Sequence, residues 1–312
     1  MQNAPIALFT YNRADHTQKA IESLLQNAEA KDSELFIFSD GPKNEKSFEG
    51  VKKNREYIHD VKKMERVGFK TVTVIERKHN MGLSKSLIMG ITEIVDKYGK
   101  VIVVEDDLIL SNYFLRYMNE ALEKYKDEER VASISGFLNP IDKEVKNNFF
   151  LRYFACWGWA TWKRGWDLLI NDDKTLLRRL RWKKNDFNIG GTGPFYGILY
   201  CNKVCLNDSW AVRFYASQFL ADKLQLFPKR TLVLQNGTDG SGTHSGGGPS
   251  VYDNMILSRD YVGVEEIPIE ESKKMYALYS EFYRSKQNYN VITFHYERFK
   301  SFIRRLLGID YR

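Results

Sequence analysis

The run from Lys100 to Leu110, KVIVVEDDLIL, constrains this chain more than any other stretch: a β-branched apolar run meets three consecutive carboxylates, and apolar residues resume behind them. An unbroken apolar run of this length suits a central strand of a parallel sheet, and open α/β sheets bind ligands beyond the carboxyl ends of their strands. Glu105, Asp106 and Asp107 are therefore expected at such an edge. Adjacent carboxylates repel one another unless a cation or hydrogen-bond donors offset the charge, which favours a hard divalent metal. A solvated acidic turn, with Ser111 or Asn112 capping the next helix, is the competing reading.

The flanking sequence supplies the rest of a sheet. PIALFT (5–10), LFIFS (35–39) and TVTVI (71–75) read as strands, and helical apolar spacing separates them. Asp15 and Gln18 are expected to form a capping box before the first helix, whose apolar face is Ala20, Ile21, Leu24 and Leu25. Asp40-Gly41-Pro42 is turn chemistry after the second strand. The alternation predicts an α/β fold with a mainly parallel, doubly wound sheet flanked by helices. Val131 to Ser135 adds a further short strand.

Beyond residue 135 the composition changes. Residues 149–166 hold four of the six tryptophans beside Arg and Lys, which suits either core packing or a platform on which a sugar ring stacks. Residues 236–249, NGTDGSGTHSGGGP, are a linker or, as the His and Asp among the glycines favour, a loop that closes over a phosphate. From His295 a basic amphipathic helix is expected, with Phe299, Phe302, Ile303, Leu306 and Leu307 on one face. It either docks on the domain or lies on an anionic membrane surface.

Composition narrows the classes. A chain that is 43% hydrophobic and 14% aromatic folds, and 47 basic against 40 acidic residues favour anionic partners. Cys156, Cys201 and Cys205 are too few for a disulfide scaffold and lack further zinc ligands, so they read as free thiols of a reducing compartment. Neither a signal peptide nor a run of roughly 18 apolar residues is visible. The expected location is the cytoplasm, with peripheral attachment to the inner face of the membrane as an option.

Several motifs fall at the predicted strand ends in a consistent order: FTYNR (9–13), SDGP (39–42), HNMGLSKS (79–86) and VVEDD (103–107). WGWATW (157–162), NDSW (207–210) and DGSGTH (239–244) follow. Together they resemble the GT-A-fold inverting glycosyltransferases, family 2 and the N-acetylglucosaminyltransferase I type, of bacterial surface polysaccharide synthesis. The resemblance implies a GT-A, Rossmann-like domain with a nucleotide-sugar-binding half (1–135), an acceptor-binding and catalytic half (136–250) and a C-terminal helical extension (251–312). It implies that Thr10, Arg13 and Asp40 hold the nucleoside, that Asn80 and Lys85 line the donor pocket, and that Asp106 meets the ribose or sugar. Asp107 and His244 would hold Mn2+ or Mg2+. Trp157, Trp159 and Trp210 would meet the acceptor.

Relatives of the N-acetylglucosaminyltransferase I type carry Asp-Asp-Trp where this chain has Asp208-Ser209-Trp210, so Asp208 is the expected base, with Asp239 as runner-up. The implied reaction moves one sugar from a nucleotide sugar, UDP-linked by preference, to a saccharide or lipid-linked saccharide with inversion; no nucleic acid takes part. A sugar-1-phosphate nucleotidyltransferase is the alternative enzyme, but FTYNRADH lacks the Gly-rich, basic loop that class places after its first strand. A non-catalytic carbohydrate- or membrane-binding module explains the tryptophans and leaves the acids without a purpose.

Overall fold

Four runs become neighbouring parallel strands: β1 (Ile6–Thr10), β2 (Glu34–Ser39) and β4 (Lys100–Glu105), which are buried on both faces, and the more exposed edge strand β3 (Thr71–Glu76). The computed structural model describes residues 2–63, 65–237 and 251–286. After β4 come β5 (Leu108–Leu110), β6 (Val131–Ser135), β7 (Phe149–Leu151), β8 (Trp159–Trp162), β9 (Leu224–Phe227) and β10 (Val233–Gln235). Eight of these form one sheet in the order β3-β2-β1-β4-β8-β6-β9-β7, and β10 pairs with β5 as a separate ribbon. β8 runs antiparallel to both β4 and β6, and β7 antiparallel to β9.

The helices are α1 (Ala14–Leu25), α2 (Glu45–Lys62), α3 (Leu83–Tyr98), α4 (Phe114–Lys124), α5 (Lys163–Trp166), α6 (Asp173–Leu180), α7 (Lys184–Phe187), α8 (Phe195–Lys203), α9 (Trp210–Leu220) and α10 (Lys273–Lys286). Strand alternation divides the core in two. Ile6, Leu8, Ile102 and Val104 share one core with residues of α1, α4 and α10, whereas Ala7, Phe9, Val101 and Val103 share the other with residues of α3, α6 and α9. Covering both faces is what the apolar strands demand, and the result is an α/β sheet of GT-A, Rossmann-like type.

Helix starts differ from expectation at two places. Arg13, not Asp15, is the N-cap of α1; Asp15 lies inside the first turn and Gln18 bonds Glu22 instead. Neither Ser111 nor Asn112 caps α4: its N-cap is Tyr113, and the Ser111 hydroxyl accepts only from the Tyr113 amide, at 3.3 Å. Among the described residues no helix is long and apolar enough to cross a membrane, and the three cysteines are free thiols. The expected amphipathic helix from His295 lies outside the described residues.

Candidate active site

Strand register assembles the site. Thr10 pairs with Ser39, Ser39 with Glu76, and Phe9 with Glu105, so the residues that follow each strand emerge at one carboxyl edge. Three backbone bonds extend this line: Asp40 N–H donates to Thr10 C=O, Arg77 N–H to Ser39 C=O, and Asp106 N–H to Phe9 C=O. Thr10, Asp40, Arg77, Asp106 and Asp107 are thereby brought together.

The acids are not a solvated turn. Asp106 is buried, Glu105 and Asp107 are half-buried, and the Arg13 Nη2 bridges Asp106 Oδ1 and, at 3.0 Å, Asp107 Oδ2. Burial pushes the Glu105 carboxyl up to about 8, with Asp107 and then Asp106 adding to it. Asp106 is pushed up to about 6 by burial, which Arg13 counteracts. One guanidinium thus stands against three acids, and its Nη1 is itself buried without a hydrogen-bond partner.

The β5–β10 ribbon brings a distant segment to the same point. Gln235 pairs with Leu108, its Nε2 donates to Asp107 Oδ2 at 3.3 Å, and the Asn236 amide donates to Asp107 C=O at 2.7 Å. Gly237 follows so closely that a Cβ there would stand 2.8 Å from Asp107 Oδ2. The Gly-rich stretch therefore begins against the acids. Its Asp239 and His244 lie outside the described residues.

Asp40 does something the sequence did not suggest. Its Oδ1 accepts from the amides of Gly41 and Met81, both at 2.9 Å, and its Oδ2 from Asn80 Nδ2 at 3.1 Å and the Gly82 amide at 3.0 Å. Both carboxylate oxygens are engaged here, and the carboxylate clamps residues 80–82 at the place where a bond to a nucleobase or ribose is expected. Gly41 permits the contact, since a Cβ there would lie 2.5 Å from the His79 carbonyl carbon. Asp40→Asn should cost about 2–3 kcal/mol, because one amide oxygen replaces a charged acceptor of four bonds. Urea unfolding measures the loss, and faster amide exchange at Met81 and Gly82 locates it. Unchanged exchange there would refute the clamp.

Thr10 is likewise buried, and its Oγ1 accepts from Asn54. Lys85 stands exposed in the first turn of α3. Arg77 was missed by sequence reasoning: its Nε and Nη2 are buried without hydrogen-bond partners beside Ser39 and Asp40, and its guanidinium lies 5.9 Å from the Phe38 ring. Two unpaired donors at this edge suit the oxygens of a base or ribose. Only its place one residue past β3 could have pointed to it.

Asp208 sits on the flank formed by α3, α6 and α9. It does not cap α9, because Ser209 does so through its hydroxyl to the Val212 amide. Asp208 is exposed and accepts from Arg213 Nη1 at 2.6 Å; Arg213 also grips Asp173 at 2.8 and 3.1 Å and reaches Ser84 Oγ at 3.3 Å. Ser84 lies in the first turn of α3, two residues after the clamped Gly82. The link from Asp208 to the Asp40 side of the edge runs through Arg213.

The tryptophans divide. Trp159 is 0% exposed and Trp210 3%, stacked on each other at 5.6 Å among Phe154, Trp166 and Phe214. Their faces are taken by protein rings, so the acceptor contact expected of them is corrected to core packing. Trp157 is half-buried, 4.6 Å from Phe137 and 4.9 Å from Tyr252. It precedes β8, whose first residue pairs with Val103 near the carboxyl end of β4. The neighbouring Cys156 thiol is pushed up by burial first and by Glu105 second, which places both residues beside the acids.

Asp107 offers a hard oxygen donor in a net-negative setting, which suits Mg2+ or Mn2+. Among the described residues no group of three His, Cys, Asp or Glu side chains forms a ready-made cage. The residues therefore fit a cation that keeps most of its ligands on water and a diphosphate, as Mg2+ commonly does.

The sheet order, with acids at its carboxyl edge, is an α/β architecture of GT-A type. The model of the Glycosyl transferase family 2 matches residues 6–195, more than half of the chain, and the chain belongs to that family. Members of this family typically depend on a divalent metal. The match ends before Asp208. No curated protein sequence matches. Among solved structures, S. aureus TarS is 13% identical with a TM-score of 0.32, over 46% of this chain and 24% of that one. A putative glucose-1-phosphate thymidylyltransferase from Bacillus anthracis in complex with a sucrose is 11% identical with a TM-score of 0.29, over 42% of this chain and 53% of that one. The chain thus spans about a quarter of the first and about half of the second.

Proposed function

We propose that this enzyme transfers a single hexosyl or N-acetylhexosaminyl residue from a nucleotide sugar, UDP-linked by preference, to a saccharide or lipid-linked saccharide, with inversion. The setting is surface polysaccharide synthesis of capsule or O-antigen type, at the cytoplasmic face of the membrane. The observation that carries this reading is the pair Asp106 and Asp107, held by Arg13 at the carboxyl end of β4 with Gln235 and Gly237 closing over it.

In this reading Arg77 binds the base or ribose, Asp40 fixes residues 80–82 as the pocket wall, and Asp106 with Arg13 positions the ribose or sugar. Asp107 ligates Mg2+ or Mn2+, with His244 as a further ligand. When bound, that cation offsets the charge developing on the departing nucleoside diphosphate. Asp208 takes the proton of the attacking acceptor hydroxyl, and Arg213 holds its carboxylate in place. Trp157 supplies a face for the acceptor.

Incubation with a panel of nucleotide sugars tests the reading without an acceptor. Slow hydrolysis of one donor, followed by proton NMR, should release a sugar of inverted anomeric configuration before mutarotation. A product that retains the configuration would overturn the single-displacement mechanism.

A further inference from the structure

Residues 174–184, KTLLRRLRWKK, place six basic side chains and no acid in eleven residues, in a chain whose whole excess is +7. α6 explains how they are presented. Leu176, Leu177 and Leu180 are buried against α8 and α9, which turns Lys174, Arg178 and Arg179 outward, and Arg181, Trp182, Lys183 and Lys184 follow fully on the surface. Trp182 is 84% exposed, whereas four of the other five tryptophans are 7% exposed or less. The Arg181 guanidinium lies 4.8 Å from its ring.

Cation and ring recur next to it. Lys184 lies 5.1 Å from the Tyr196 ring and Lys203 6.0 Å from Tyr200, both on α8, and exposed Leu206 comes three residues after Lys203. A face of Lys and Arg interleaved with Trp and Tyr, bearing one almost fully exposed indole, has the composition of a bilayer interface: the cations meet anionic headgroups and the indole sits at headgroup depth. An acidic protein partner would account for the charge but gives no reason to leave a Trp in water.

We infer that the face built by residues 174–184 and α8 docks on an anionic phospholipid bilayer. Its position suits that role. α6 starts at Asp173, which shares Arg213 with Asp208, and its eight residues span about 12 Å, so the basic cluster stands one short helix from the proposed base. A lipid-linked acceptor would then be met beside Asp208. That last link rests on the transfer reading above, but docking itself does not.

The full chain should sediment with vesicles containing 30 mol% phosphatidylglycerol and not with phosphatidylcholine alone. Each basic residue at an anionic surface is worth about five-fold in partition, so Arg178→Glu with Arg179→Glu and Lys183→Glu should lower partition at least ten-fold without altering donor hydrolysis. Brominated lipid should quench part of the tryptophan emission of the parent, and Trp182→Phe, which keeps the fold and most of the apolar surface, should remove that part. Partition changed less than ten-fold by the reversal, or quenching unchanged in Trp182→Phe, would overturn the proposal. Equal binding to soluble dextran sulfate with no Trp182-dependent quenching would mark a general polyanion face, which also overturns it. Loss of docking with hydrolysis intact separates this proposal from the transfer reading; loss of hydrolysis in the parent would sink only the latter.

Discussion

Asp107→Ala is expected to lose metal-dependent binding of a nucleoside diphosphate, by about 100-fold or more, while the protein stays folded. Loss of a supporting partner of a metal ligand already costs about 10–100-fold, and here the ligand itself goes. No neighbour can replace it. Asp106 is buried and held by Arg13, and burial drives Glu105 toward its neutral form, up to about 8. With Asp107 gone, Arg13 would close on Asp106 alone and Gln235 would lose its acceptor. Equilibrium dialysis of the nucleotide with Mn2+ measures the effect. Unchanged affinity in the folded variant would remove Asp107 from the metal assignment.

The second large effect concerns Asp208→Asn, which keeps the shape and removes the basicity. General-base contributions are worth about 10² to 10⁴ in rate, so transfer should fall by that order while donor and metal bind normally. Because Ser209 is the cap of α9, loss of the Asp208 carboxylate leaves the helix start intact. A drop in rate then reports chemistry, not unfolding. The Asn side chain can still accept from Arg213, which preserves the grip of Arg213 on Asp173 and Ser84. Near-normal transfer by the variant would move the search for the base to Asp239.

How much of this was legible in the sequence depended on whether the cause was local. β1, β2 and β4 show themselves as apolar runs because strands buried on both faces can contain little else, and the acids after Val104 interrupt that rule conspicuously. The β5–β10 ribbon does not show itself. Each strand is three residues long, and Leu108 meets Gln235 across more than a hundred residues. The clamp by Asp40 is invisible for the same reason, since its partners include backbone amides some forty residues away.

The tryptophans illustrate a different limit. Composition marks residues 149–166 as aromatic, but which rings face inward follows from β8 lying between β4 and β6. That placement buries Trp159 and leaves Trp157 at the edge. Arg213 gave no signal at all: its three partners, Ser84, Asp173 and Asp208, come from separate segments.

Calorimetric titration of the unaltered protein with UDP, with and without Mn2+, tests the central claim most directly. The site at the β4 edge predicts tight binding with the cation and at least ten-fold weaker binding without it, since Asp106 and Asp107 then face the diphosphate with Arg13 alone to offset them. Equal affinity in the two titrations, or no binding of any nucleoside diphosphate in either, would contradict the account.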